Sequence, residues 1–255
     1  MNDNVRSAAR VLDLLELLAG AGEGLTLAEA SERLDAPKSS TLMLLRTLAG
    51  RGYAVRGGDD RYRLNESFRQ DGFGWGGQAA RLAAVSGPVL RELADALGET
   101  AILGTLTDKG MVRLLAKAVT HENIRYDIDL GQDLPAYCTA IGRVLLAQMP
   151  SEARRHILDR IEPQPVTPHS LTDRAAIEAR IEDAARDGIS VVAEEYALGG
   201  TGAAVPIRLA DGRVVGAVNA GCISPRYAGK EAEIATALRA AARTIAARLD
   251  NRGAA

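Results

Sequence analysis

Three short runs of helically spaced apolar residues, separated by two sharp breaks, dominate residues 10–51 and leave few folds open to that stretch. Val11, Leu14, Leu15 and Leu18 recur at i, i+3, i+4, i+7 and predict an amphipathic first helix, ended by Gly20 and Gly22. Thr26-Leu27-Ala28-Glu29 reads as a capping box: the threonine hydroxyl satisfies an orphan amide and the glutamate reaches back to the cap. Leu27, Ala30 and Leu34 give the second helix its stripe. Asp35-Ala36-Pro37 then forces a tight break, with Pro37 suited to the first turn of a third helix from about Lys38 to Arg51. In that helix Thr41, Leu44, Leu45 and Leu48 share the inward face, so Lys38, Ser39, Leu42, Met43 and Arg46 point outward. Two short strands follow, Tyr53 to Arg56 and Arg61 to Leu64, joined by Gly57-Gly58-Asp59-Asp60.

Three helices with a sharp second-to-third turn and then a two-stranded wing is the order of a winged helix-turn-helix, in which the third helix enters the major groove. The expected nucleic-acid contacts follow from that geometry. Ser39 and Ser40 face phosphates at the helix N-terminus, and Lys38, Arg46, Arg61 and Arg63 add positive charge. Leu42 and Met43 reach thymine methyls, or pack on the wing or a dimer partner; Arg6 and Arg10 reach the backbone or minor groove. The formal net charge of -2 conceals this. Residues 1–35 hold three arginines against seven carboxylates, and residues 36–65 hold six basic residues against two, so an acidic -4 precedes a basic +4. The basic part is the groove-facing part.

The rest of the chain changes character. Gly72, Gly74, Gly76 and Gly77 crowd one segment with neither a preceding strand nor a following Lys-Ser/Thr, which fits a hinge better than a phosphate cradle. A helical pattern resumes near Gln78 and continues to Leu97, with Pro88 able to start a fresh helix. Strands are predicted at 101–107, 111–118, 189–193, 203–209 and 214–220, and helices at 139–148, about 172–187 and along Ile234, Leu238, Ala241, Ile245 and Leu249. The fold class is therefore α+β: an N-terminal winged helix-turn-helix over residues 1–65, a linker helix or hinge over 66–86, and an antiparallel-rich mixed sheet with helices over 87–252. At 47% hydrophobic and 25% charged, the 255 residues suit a globular chain with a sizeable core. Met1 to Arg10 lacks an apolar signal region, and no apolar run reaches the roughly 20 residues of a membrane span, so a cytoplasmic protein without membrane contact is expected. Cys138 and Cys222 form no Cys-x-x-Cys, and His121, His156 and His169 have no helical i,i+4 spacing, so neither a metal nor a cofactor is expected.

Several motifs together resemble the IclR family of bacterial transcriptional regulators. They are the run from Arg10 to Leu18, Gly24-Leu25-Thr26-Leu27-Ala28-Glu29, Pro37-Lys38-Ser39-Ser40-Thr41, and Arg51-Gly52-Tyr53. In the second half they are Leu134 to Ala147, Glu194-Glu195-Tyr196-Ala197-Leu198-Gly199 and Asp211-Gly212-Arg213-Val214-Val215. The resemblance covers nearly the whole chain and is strongest to the regulators of protocatechuate and hydroxybenzoate catabolism. It implies a GAF-like effector-binding and oligomerisation domain, a homodimer or dimer of dimers, double-stranded operator DNA as one partner and a small-molecule effector as another. The chain departs from the family at Leu42 and Met43, where polar or basic side chains are more usual, and at Gly199-Gly200-Thr201-Gly202, where a larger residue is common.

Carried over by position, the effector pocket would be walled by Asn123, Tyr126, Leu134, Ala140, Ile141, Val192, Gly200, Gly202, Asn219 and Gly221. Tyr126, Leu134, Ile141 and Val192 would bury a planar apolar body, with Asn219 and Tyr126 anchoring a polar end. Amides near Ala140 would hold a carboxylate at a helix start. The three glycines would leave room for a ligand larger than a two- or three-carbon acid. Glu194 pairs with Arg143 or faces the ligand. The effector expected is an aromatic carboxylate or related aromatic compound, with a short aliphatic acid as the alternative. An enzyme with a vestigial helical domain is disfavoured: the acidic pair Glu194-Glu195 would split between two faces of a strand, and no Gly-x-Ser-x-Gly elbow occurs, so no catalytic residue is assigned. A sensor that binds a protein instead of DNA is disfavoured by the basic wing.

Overall fold

The computed structural model describes residues 6–65 and 77–251, in two compact units divided between Arg81 and Leu82. Gly72, Gly74 and Gly76, and with them most of the expected hinge over 66–86, lie outside the described residues, as does the side chain of Arg6.

The first unit contains α1 (Arg6–Gly20), α2 (Leu27–Arg33), α3 (Lys38–Gly50), β1 (Ala54–Arg56) and β2 (Tyr62–Leu64). The predicted stripes meet in one core of Leu14, Leu18, Leu25, Ala30, Leu45 and Leu48. The capping box is formed: Thr26 Oγ1 accepts from the Glu29 amide at 3.3 Å, and the Thr26 amide donates to Glu29 Oε2 at 2.8 Å. The break before α3 runs through Asp35 at φ +46°, and Ser31 Oγ donates to the Ala36 carbonyl at 2.6 Å. β1 and β2 pair antiparallel, and Leu25 adds a further bridge to Tyr62.

The division falls within α4 (Gly77–Leu97), which leads into β3 (Thr100–Leu106), β4 (Met111–Ala118), β5 (Asp133–Pro135), α5 (Ala140–Ala147), α6 (Ser151–Leu158) and α7 (Arg174–Asp187). β6 (Ser190–Ala193), β7 (Gly200–Arg208), β8 (Val214–Ile223), the short α8 (Ser224–Tyr227) and α9 (Glu231–Asn251) complete it. The six strands form one antiparallel sheet in the order β5-β4-β3-β8-β7-β6. Pro88 does not restart the helix as expected. It lies inside a continuous α4, whose Leu82, Val89, Leu90 and Leu93 are buried against the sheet, so packing outweighs the missing hydrogen bond. β7 starts at Gly200 rather than at residue 203, because Gly200 already pairs with Ile223. The short β5 gives little sequence signal, since a three-residue strand is too brief for periodicity.

Strand alternation sorts this unit into two cores. Leu103, Ala203, Val205, Val218, Ala220 and Cys222 face α4 and α9. The opposite parity, including Ile102, Val192, Ala204 and Ala217, faces α5 and α7. On that second face β7 and β8 carry mostly small residues, Gly200, Gly202, Ala204, Ala217, Asn219 and Gly221. Small side chains there leave a hollow between sheet and helix.

Candidate functional site

The hollow is a cavity of about 480 Å³ including its mouth, of which about 50 Å³ is open to the centre of a water-sized body. Ile102, Leu114, Ile128, Leu134, Ile141 and Val192 supply its apolar wall, and Tyr126 and Tyr196 its aromatic one. The polar groups are few: Thr139, Cys138 and Asn219. Of the residues expected here, Tyr126, Leu134, Ala140, Ile141, Val192, Gly200, Gly202, Asn219 and Gly221 line this one space, whereas Asn123 and Glu194 do not. Ile102, Leu114, Ile128, Cys138, Thr139, Tyr196 and Ala197 were not foreseen. Strand parity carries a signal for Ile102 and none for the loop residues Tyr196 and Ala197.

The start of α5 enters the cavity wall. Thr139 is its N-cap: Oγ1 accepts from the Gly142 amide at 3.3 Å and donates to the Pro135 carbonyl at 2.9 Å. That leaves the first-turn amides of Ala140 and Ile141, which lack intrahelical partners, beside the cavity at the positive end of the helix dipole. The helix comes this close because residue 142 is glycine; a Cβ there would lie 2.3 Å from the Ala136 backbone.

Tyr126 changes the meaning of the glycines. A Cβ at Gly200 or at Gly221 would fall 2.7 Å from its ring, so the space these two glycines leave is taken by Tyr126 rather than open to a ligand, contrary to expectation. A Cβ at Gly202 would lie 3.1 Å from the Asn219 side-chain amide and 3.4 Å from Ala140 Cβ. The backbone of Tyr126 is tied down: its carbonyl accepts from Thr100 Oγ1 at 2.5 Å. Burial pushes its phenol up to about 12, with Tyr196 adding to the effect. Burial likewise pushes the Cys138 thiol up to about 11, reinforced by the nearby Glu195 carboxylate. Both groups are neutral near pH 7. With Nδ2 turned toward the Ala203 carbonyl (3.1 Å) and Oδ1 toward the Gly221 amide (3.3 Å), the Asn219 side chain bridges β7 and β8 and keeps a second N–H for a ligand.

Glu194 takes neither role considered for it. Arg143 pairs with Glu195 instead, and Glu194, at φ +60°, sits 3.9 Å from His169. β6 ends at Ala193, so strand alternation does not govern this acidic pair.

The first unit presents the second candidate surface. On α3, Lys38, Ser39, Ser40 and Arg46 are exposed, Met43 is 61% exposed and Leu42 is half-buried. On the wing the expected cations are matched with carboxylates. Arg63 grips Asp59 at 2.6 and 3.0 Å, which holds the Asp59 carboxyl well below its usual range. Arg56 meets Asp60 at 2.8 Å. Arg61 bonds Glu29 at 2.9 Å and the Gly24 carbonyl at 2.9 Å, tying the wing to the capping box of α2. Arg10 is half-buried on α1. Among the described residues Lys38, Arg46 and Arg51, on α3 and just after it, make no ion pair, and neither do Arg10 on α1 and Arg33 on α2.

Comparison with known proteins finds family models for both parts of the chain. Residues 7–58 match the family model described as the IclR helix-turn-helix domain, and residues 78–247 match that of the bacterial transcriptional regulator IclR C-terminal domain. The Pca regulon regulatory protein of Pseudomonas putida is 32% identical over 85% of this chain and 74% of its own length. An HTH-type transcriptional regulator of Mycobacterium tuberculosis is 31% identical over 92% and 89%. The crystal structure of an IclR homolog from Microbacterium hydrocarbonoxydans, complexed with 4-hydroxybenzoate, superposes with a TM-score of 0.62 at 25% identity, covering 94% of this chain and 98% of that one.

Proposed function

Since the chain belongs to the IclR family of bacterial transcriptional regulators, we propose that an aromatic carboxylate, bound in the cavity of the second unit, modulates operator binding by the first. Residues 1–65 act as the DNA-binding domain, 66–86 as the linker and 87–252 as the effector and assembly domain of a homodimer or dimer of dimers.

The observation that carries the effector class is the pairing of an aromatic, apolar wall with one anion-favouring end. Tyr126, Tyr196, Ile141 and Leu134 sandwich a planar ring. The amides of Ala140 and Ile141 receive the carboxylate, and Asn219 or the neutral Tyr126 phenol takes a ring hydroxyl. Among the described residues no carboxylate side chain lines the cavity to oppose an anion. The 4-hydroxybenzoate complex of the Microbacterium homolog supports the same class.

Calorimetric titration of the full chain with 4-hydroxybenzoate and with short aliphatic acids tests this. Binding of the aromatic acid, weakened by Ile141→Asp, is the expected result; binding of aliphatic acids alone overturns it. For the DNA surface, Lys38→Gln and Arg46→Gln weaken operator binding most at low salt, and each lowers the salt slope by about one released counterion. An unchanged slope in both variants removes α3 from the interface.

A further inference from the structure

Three arginines face one groove on the second unit, away from the effector cavity. Arg208 comes from the end of β7, and Arg239 and Arg243 lie one turn apart on α9, as i,i+4 neighbours. Gly188, Pro206 and Ala242 line the space between them, about 530 Å³ including its mouth. The fold makes this groove for a simple reason. β6 pairs with β7 only as far as Ser190 opposite Ala204, so the last residues of β7 run on without a neighbour on that side. Pro206 has no N–H to offer an added strand, so that edge suits a discrete ligand better than a peptide.

Seven arginines of this unit sit on carboxylates, among them Arg113 with Asp133, Arg174 with Asp159 and Arg213 with Asp211. Among the described residues the three of the groove do not. Arg208 donates to the Gly212 carbonyl (2.7 Å) and to Gln148 Oε1. Arg239 donates one N–H to the Asp187 carbonyl at 3.3 Å, capping α7, and the Asp187 carboxylate is itself held by Arg186 at 2.9 Å. Arg243 has no hydrogen bond or ion pair among the described residues. Like charges one helical turn apart disfavour the helix that carries them unless an anion sits between.

We propose that this groove is a second ligand site, separate from the effector cavity, and that it takes a phosphate-bearing small anion. Guanidinium forks match the tetrahedral oxygens of phosphate in paired hydrogen bonds; Arg239 and Arg243 supply them over the small-residue floor, and Arg208, held by Gly212 and Gln148, adds charge at the groove's end. The site gives the regulator an input of a different chemical class from an aromatic acid.

Titration of the full chain with inorganic pyrophosphate, followed by calorimetry, tests it. The expected result is saturable binding that weakens about tenfold in Arg243→Gln and further in the Arg239→Gln, Arg243→Gln double variant. Binding survives in the Lys38→Gln, Arg46→Gln variant, which removes the competing cations of α3. Thermal unfolding of each variant at the wild-type midpoint shows that the fold is kept. The proposal is overturned if pyrophosphate does not bind, if the double variant binds it equally well, if the α3 variant abolishes it, or if only duplex DNA affinity responds to the α9 substitutions.

Discussion

Arg143 and Glu195, 52 residues apart in sequence, form a bidentate ion pair with N–O distances of 2.7 and 2.6 Å in the interior of the second unit. Arg143 is 1% exposed and Glu195 8%. The pair is fully hydrogen-bonded: Arg143 Nε donates to the Tyr137 carbonyl at 2.7 Å, and Glu195 Oε2 accepts from the Leu171 amide at 3.1 Å. Ser170 Oγ donates to the Glu195 carbonyl at 2.6 Å. It therefore fastens α5, whose first turn lines the cavity, to the segment that carries Tyr196 and Ala197.

Arg143→Met leaves the Glu195 carboxylate buried and unpaired, and should lower stability by about 3–5 kcal/mol, read as a shift in urea midpoint at unchanged slope. The Arg143→Met, Glu195→Leu double variant should recover most of that loss, because the desolvation of both charges disappears together. A double variant as unstable as the single one would show that the ion pair is not what holds these segments.

Cys138 reports on the cavity. With its thiol pushed up to about 11, only about one part in a thousand is thiolate at pH 8, so alkylation of the native protein should be slow. A bound aromatic acid should slow it further at Cys138 and leave Cys222, which packs on the other face of the sheet, unaffected. Mass spectrometry of the two cysteine peptides measures both. Equal protection of the two would point to general stabilisation instead of occupancy.

Tyr126 makes an alkaline prediction. Its phenol is raised in the fold to about 12, against about 10 in the unfolded chain. The unfolded state therefore loses its proton first. The stability contribution is complete below pH 10 and is lost as pH rises from 10 toward 12. The stability of Tyr126→Phe relative to wild type should accordingly improve between pH 8 and pH 10.5 in parallel urea titrations. A pH-independent difference would place the phenol in water.

Asp59 restrains the wing. Replacing it by Asn releases Arg63 from a bidentate partner and should strengthen binding to non-specific duplex DNA, with a salt slope steeper by about one counterion. Arg61→Gln should instead loosen the wing from α2, since Arg61 is held by Glu29 and Gly24. Fluorescence anisotropy across a salt series separates the two effects; weaker binding by Asp59→Asn would mean the pair positions Arg63 productively.

Local patterns in the sequence determined most of the elements and their faces. The i, i+3, i+4, i+7 stripes placed the first-unit core at Leu14, Leu18, Leu45 and Leu48, because a helix turns its side chains at a fixed angle whatever surrounds it. The Thr26–Glu29 box marked a helix start through contacts three residues long. Asn219 and Gly221 entered the expected site through the family resemblance, and strand alternation in the structure puts them on one side of β8.

Partner choice among distant residues was decided only by the tertiary structure. Arg143 selected Glu195 over Glu194 because the chain leaves strand geometry after Ala193 and turns through a left-handed residue, which periodicity cannot anticipate. Tyr126 filled the space above Gly200 and Gly221 because three separate strands and a loop converge there. The arginines of the wing found Asp59, Asp60 and Glu29, while Lys38 and Arg46 of α3 stayed without a carboxylate among the described residues. Short-range order follows from backbone geometry that each residue carries with it; ion pairs and cavities depend on which segments the packed core brings within a few ångströms, and that is a property of the whole fold.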